Sequence, residues 1–116
     1  MAAKKTDAIA VTVDRAQRLF RLLKLLGQGP QTRLALTRKL RLAIRGFYRD
    51  LEVLRDVGIQ IKLHDSRYHL QDELADALDR LPFPDPNLTL GEARQLSRGR
   101  FAVHRKIKSL LEKIEK

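Results

Sequence analysis

Residues 47–59 read Phe47-Tyr48-Arg49-Asp50-Leu51-Glu52-Val53-Leu54-Arg55-Asp56-Val57-Gly58-Ile59, and their spacing decides the fold. Phe47, Leu51 and Leu54 recur as one face of an α-helix, and Gly58 supplies its stop. The predicted helix runs from about Ala43 to Val57. Directly beyond it, Ile59-Gln60-Ile61-Lys62-Leu63 alternates apolar with polar, the period of a half-buried strand. Tyr68-His69-Leu70 repeats the alternation after His64-Asp65-Ser66-Arg67, which predicts a hairpin.

Working upstream, only Arg41 and Leu42 separate this helix from a shorter one that Thr32 can cap, with Leu36 and Leu40 inward. Such a tight connection between two short helices is a helix-turn-helix signal. Gly27-Gln28-Gly29-Pro30 breaks the chain before that pair. A first helix precedes the break, with Asp14 and Gln17 at capping-box spacing and Ala16, Leu19, Phe20, Leu23 and Leu26 at helical intervals. The order is therefore three helices followed by a hairpin.

Downstream, Asp72, Glu73, Asp76 and Asp79 fall on a helix whose apolar line is Leu74, Leu78 and Leu81. Pro82-Phe83-Pro84-Asp85-Pro86 reads as a stiff linker, and Thr89 with Glu92 as a second capping box. Past Gly99, Val103, Ile107, Leu110 and Ile114 form a short heptad seam that Leu111 widens. A strip of that kind on a lone helix would be a sticky patch, so a homodimer through these five residues is expected. The expected organisation is a flexible tail over residues 1–13, a winged helix-turn-helix over 14–70, and a helical linker and dimerisation segment over 71–116. The fold class is thus mostly α with a small β-hairpin.

Charge locates the function. Residues 1–70 hold fifteen Lys/Arg against six Asp/Glu, whereas residues 71–116 hold nine against eight, so nearly all of the net +10 belongs to the first half. A cationic surface of this kind suits a polyanion, because each phosphate it neutralises releases condensed counterions. There is no Cys, which removes disulfides and thiolate metal sites. His64, His69 and His104 form no H-x-x-x-H pair, and no catalytic motif or paired-carboxylate cleft is evident. The reading is a non-enzymatic protein with no cofactor, no metal, no membrane segment and no evident small-molecule ligand, cytoplasmic in location.

The run Tyr48-Arg49-Asp50-Leu51, continued by Leu54, Gly58 and Ile59, resembles the recognition helix of the winged helix-turn-helix domains of DeoR-like and WYL-domain bacterial transcription regulators. In those domains V/I-Y-R-D-L-x-x-L-x-x-x-G-I is characteristic. The resemblance covers roughly residues 15–70, and Leu88-Thr89-Leu90-Gly91-Glu92-Ala93 looks like the segment that follows the wing in WYL-type regulators. Nothing here resembles the WYL sensor domain. The family usually has Gly in the turn and then a Ser cap, whereas this chain has Arg41, Ala43, Ile44 and Gly46. Ala43 cannot cap as Ser does, at a cost of about 1 kcal/mol, and Gly46 costs roughly another 1 kcal/mol against Ala.

The resemblance implies a sequence-specific or semi-specific DNA-binding transcription regulator acting as a homodimer on duplex DNA. Arg45 and Arg49 lie one turn apart and, with Tyr48, away from the inward line, so they are placed for base edges or phosphates. Arg33, Arg38, Arg41, Lys62 and Arg67 are further candidates for phosphate. Asp50 is expected to bond a nearby Arg within the chain, since a carboxylate facing phosphate is repelled. The alternative is a degenerate winged helix that serves as a protein-protein interaction module.

Overall fold

Thr12 turns the chain into its first helix, α1 (Val13–Gly27): its backbone is extended and its hydroxyl accepts from the Arg15 N–H at 3.1 Å. The expected cap at Asp14 is therefore displaced by two residues, and Asp14 sits in the first turn, where its charge suits the helix dipole. Val11, just before the cap, is buried. The expected flexible tail thus gives way to core by residue 11. The computed structural model describes residues 11–84, 88–98 and 102–115, without the side chains of 102–105.

Beyond α1 come β1 (Gln31–Thr32) and α2 (Arg33–Leu40), whose first turn is capped by the Thr32 hydroxyl accepting from Ala35 N–H at 3.1 Å. Arg41 ends α2 in the left-handed conformation, φ 53° and ψ 51°, and α3 (Ile44–Asp56) starts three residues later. Phe47, Asp50, Leu51 and Leu54 form the buried side of α3. Gly58, at φ 89°, then turns the chain into β2 (Ile61–His64) and β3 (Arg67–Leu70). The connecting Asp65 and Ser66 both have positive φ, 52° and 63°. Two successive positive values match a tight hairpin turn whose twist suits the flanking strands.

The sheet is antiparallel in the order β1-β3-β2, with Ile61 opposite Leu70 and His64 opposite Arg67. On its other edge β3 pairs Tyr68 and Arg67 with Gln31 and Thr32. That pairing fastens the start of α2 to the hairpin.

The remaining elements are α4 (Leu74–Asp79), α5 (Leu90–Leu96) and α6 (Ala102–Ile114). Among the described residues the fold is thus six helices with one small three-stranded sheet. The acidic helix starts later than expected because its first residues are used elsewhere: Gln71 N–H donates to Gln60 O at 2.9 Å, and the Asp72 carboxylate accepts from Gln60 N–H at 2.9 Å. The Thr89–Glu92 capping box is present in both directions.

Two expectations are corrected by packing. The start of the proline-rich stretch belongs to the core rather than to a spacer, with Pro82 and Phe83 buried, Phe83 N–H donating to Leu88 O, and Leu90 N–H to Leu81 O at 2.7 Å. Residues 85–87 lie outside the described residues. The seam expected to hold two copies is filled within one chain: α6 packs against α1 and α5, with Ile107, Leu111 and Ile114 buried and Leu110 half-buried. The side chain of Val103 is outside the described residues. Apolar surface offered by the same chain competes at high effective concentration, so the strip closes inward. A single hydrophobic cluster runs from Val11 and Leu19 through Leu51 and Ile59 to Phe83, Leu90 and Ile114, so residues 71–116 complete the core of the first half rather than form a separate segment.

Candidate nucleic-acid interface

The single carboxylate of the Tyr48-Arg49-Asp50-Leu51 run is removed from the surface. Asp50 is fully buried and takes three hydrogen bonds from α1: Arg15 Nε at 3.2 Å, Arg18 Nε at 2.6 Å and Arg18 Nη2 at 3.0 Å. The Asp50 hydrogen bond raises the Arg18 guanidinium pKa above its ordinary value, against the opposing effect of burial. This clamp fixes the roll of α3 on α1. It turns the opposite side of α3, which carries Ile44, Arg45, Tyr48 and Arg49, toward solvent.

All eight side chains expected from the sequence are exposed: Arg33 and Arg38 on α2, Arg41 in the turn, Arg45, Tyr48 and Arg49 on α3, and Lys62 and Arg67 on the hairpin. Arg33 and Tyr48 are brought together, with Arg33 Nη1 donating to the Tyr48 phenol at 3.1 Å. That bond is the main reason the Tyr48 pKa is lowered and the Arg33 pKa raised. A hydrogen bond with Tyr68 also lowers Tyr48, while burial is the main cause raising Tyr68. Tyr48 and Tyr68 each meet the Phe47 ring edge-on, at centroid separations of 5.5 and 5.3 Å.

Arg38, Arg41, Arg45, Arg49, Lys62 and Arg67 have no side-chain hydrogen bond or carboxylate partner among the described residues. Apart from the buried Asp50, the acidic groups nearest in sequence are Glu52 and Asp56, further along α3, and Asp65 at the hairpin tip, whose carboxylate lies 3.4 Å from His64 Nε2. The front of α3 is thus the cationic end. Ala43 caps it with extended backbone but no side-chain bond, so the first N–H groups of the helix stay open to a ligand.

Sequence reasoning missed a cleft of about 350 Å³ between the start of α2, α3 and the hairpin, lined by Thr32, Arg33, Leu34, Tyr48, Leu63, Ser66 and Tyr68. The alternation of the second strand groups Leu63 with Ile59 and Ile61, yet Ile59 and Ile61 are buried while Leu63 is 54% exposed. A second cleft, of about 560 Å³, lies between α1, α2 and the end of α6, and none of the eight side chains lines it. Among the described residues no group of three or more His, Asp or Glu could hold a metal ion, and no helix is long and apolar enough to cross a membrane.

Comparison of the chain with protein-family models, with curated proteins and with solved structures returns no match.

Proposed function

We propose that the chain is a non-enzymatic, DNA-binding transcription regulator of the winged helix-turn-helix class. In this reading α2 and α3 are the helix pair, α3 enters the major groove of duplex DNA, and the β2–β3 hairpin is the wing. One observation carries the reading: among the described residues Arg41, Arg45 and Arg49 stand exposed with no carboxylate partner at the cationic end of α3, while Asp50, the carboxylate that would oppose a phosphate, is buried between Arg15 and Arg18. Arg33 and Arg38 on one side, and Lys62 and Arg67 on the other, extend the positive surface for backbone phosphates. No dimer through α6 belongs to this proposal, since Ile107, Leu111 and Ile114 are spent inside their own chain.

The second reading, a protein-interaction module, is favoured by the apolar rim of the cleft, where Leu34 is 61%, Leu63 54% and Tyr48 45% exposed. A gel-shift titration with random duplex DNA at 50 and 200 mM salt separates the two. Several phosphate contacts predict a loss of affinity of at least about tenfold over that interval. Absence of binding at the lower salt would give the surface to a protein partner.

A further inference from the structure

Ile44 is the first residue of α3 and is 52% exposed. A lone apolar side chain in water needs no explanation, but the neighbours of this one matter. At about 100° per residue, Ile44 and Tyr48 lie on one line of the exposed side of α3, and Arg45 and Arg49 on the adjacent line. Arg41 precedes them in the turn. An aliphatic group therefore stands beside the guanidinium best placed to reach a base edge.

The major groove offers hydrogen-bonding groups at every base pair but one apolar group, the thymine 5-methyl. An isoleucine there gains a favourable contact from that methyl and makes no hydrogen bond to any base edge. We infer that Ile44 is a specificity-determining residue that packs on the 5-methyl group of a thymine next to the base contacted by Arg45. The inference rests on the DNA-binding reading and adds to it a base preference that cationic contacts alone do not give. Because the side chain is largely outside the core, its replacement leaves the fold intact.

The test begins with selection of duplexes from a randomised library by the full chain and by Ile44→Ala. Each thymine of the enriched site is then replaced by deoxyuridine, which pairs identically and lacks the methyl. For the wild-type chain, one replacement weakens binding about fourfold, the equivalent of burying one methyl-sized group at ~0.8 kcal/mol. For Ile44→Ala the same replacement has no effect, and Ile44→Val retains most of the discrimination. Circular dichroism of the variants matches the wild type. Equal wild-type affinity for the thymine and deoxyuridine duplexes overturns the inference while leaving DNA binding in place. Discrimination that persists in Ile44→Ala, or failure to enrich any site containing thymine, does the same. Failure of the wild type to hold any duplex at 50 mM salt overturns the DNA-binding reading itself, and the inference with it.

Discussion

Arg41 holds φ 53° and ψ 51° at the end of α2, a conformation that costs an L-residue roughly 1–2 kcal/mol. Glycine escapes that cost but loses about 0.5–1 kcal/mol of extra chain entropy on folding. Arg41→Gly should therefore stabilise the fold by about 0.5 to 1 kcal/mol, measurable as a higher urea midpoint. If the guanidinium serves a phosphate, the same variant binds random duplex more weakly, with a logarithmic salt slope shallower by about one. Stability and affinity would move in opposite directions, which a merely tolerated arginine would not do. Further along, Arg45 and Arg49 should differ in kind. Arg45→Ala is expected to cost about 1–3 kcal/mol on a selected site and little on random duplex. Arg49→Ala should weaken both alike and flatten the salt slope by about one. Wild-type affinity and salt dependence in both variants would move the surface to a protein partner.

Between elements, α3 begins on Ala43, whose extended backbone, φ −68° and ψ 155°, suits a cap while its side chain offers no acceptor. Ala43→Ser should thus add about 1 kcal/mol, and an unchanged unfolding midpoint would show that those N–H groups are already satisfied. Where α2, α3 and the hairpin meet, Arg33 lowers the Tyr48 phenol pKa while burial raises that of Tyr68. Phenolate absorbance should rise in two steps on either side of the ordinary tyrosine value near ~10. Tyr48 ionises first, and Arg33→Ala should move that lower step upward more than the upper one, since Arg33 is the main cause lowering Tyr48 and a minor one lowering Tyr68. A single step at the ordinary value would contradict the Arg33–Tyr48 bond. The helix starts at Thr32 and Thr89, the stop at Gly58 and the partnering of Asp50 within the chain were legible because each depends on a few residues of local pattern. The two-residue β1 was not, since Gln31 and Thr32 become a strand only by pairing with Tyr68 and Arg67 across the molecule. Asp72 likewise left its expected helix for a backbone N–H twelve residues away.

At the scale of the whole chain, periodicity picked out Ile107, Leu111 and Ile114, which are buried in α6, but could not say which surface covers them. A seam at heptad spacing fits a second copy or a groove in the same chain equally well, and only the folded arrangement of α1 and α5 decides. Arg94 on α5 marks the closure: it bonds Glu115 at 2.7 Å beyond the end of α6 and also pairs with Asp79 on α4. The two halves then share one core and should unfold together. The chain's two tyrosines, Tyr48 and Tyr68, both belong to the first half, and there is no Trp, so tyrosine fluorescence reports on that half alone. Ile114→Ala removes a side chain that is 1% exposed at the far end of α6, a change expected to cost about 2–5 kcal/mol. In urea, the tyrosine transition and the helical circular dichroism should shift to lower midpoint by the same amount. Both midpoints should be independent of protein concentration, because Ile107, Leu111 and Ile114 are buried within their own chain. A tyrosine transition left at the wild-type midpoint would mean that residues 71–116 fold as a separate unit. A midpoint that climbs with protein concentration would return the seam to a dimer, because only stability drawn from a second chain follows mass action.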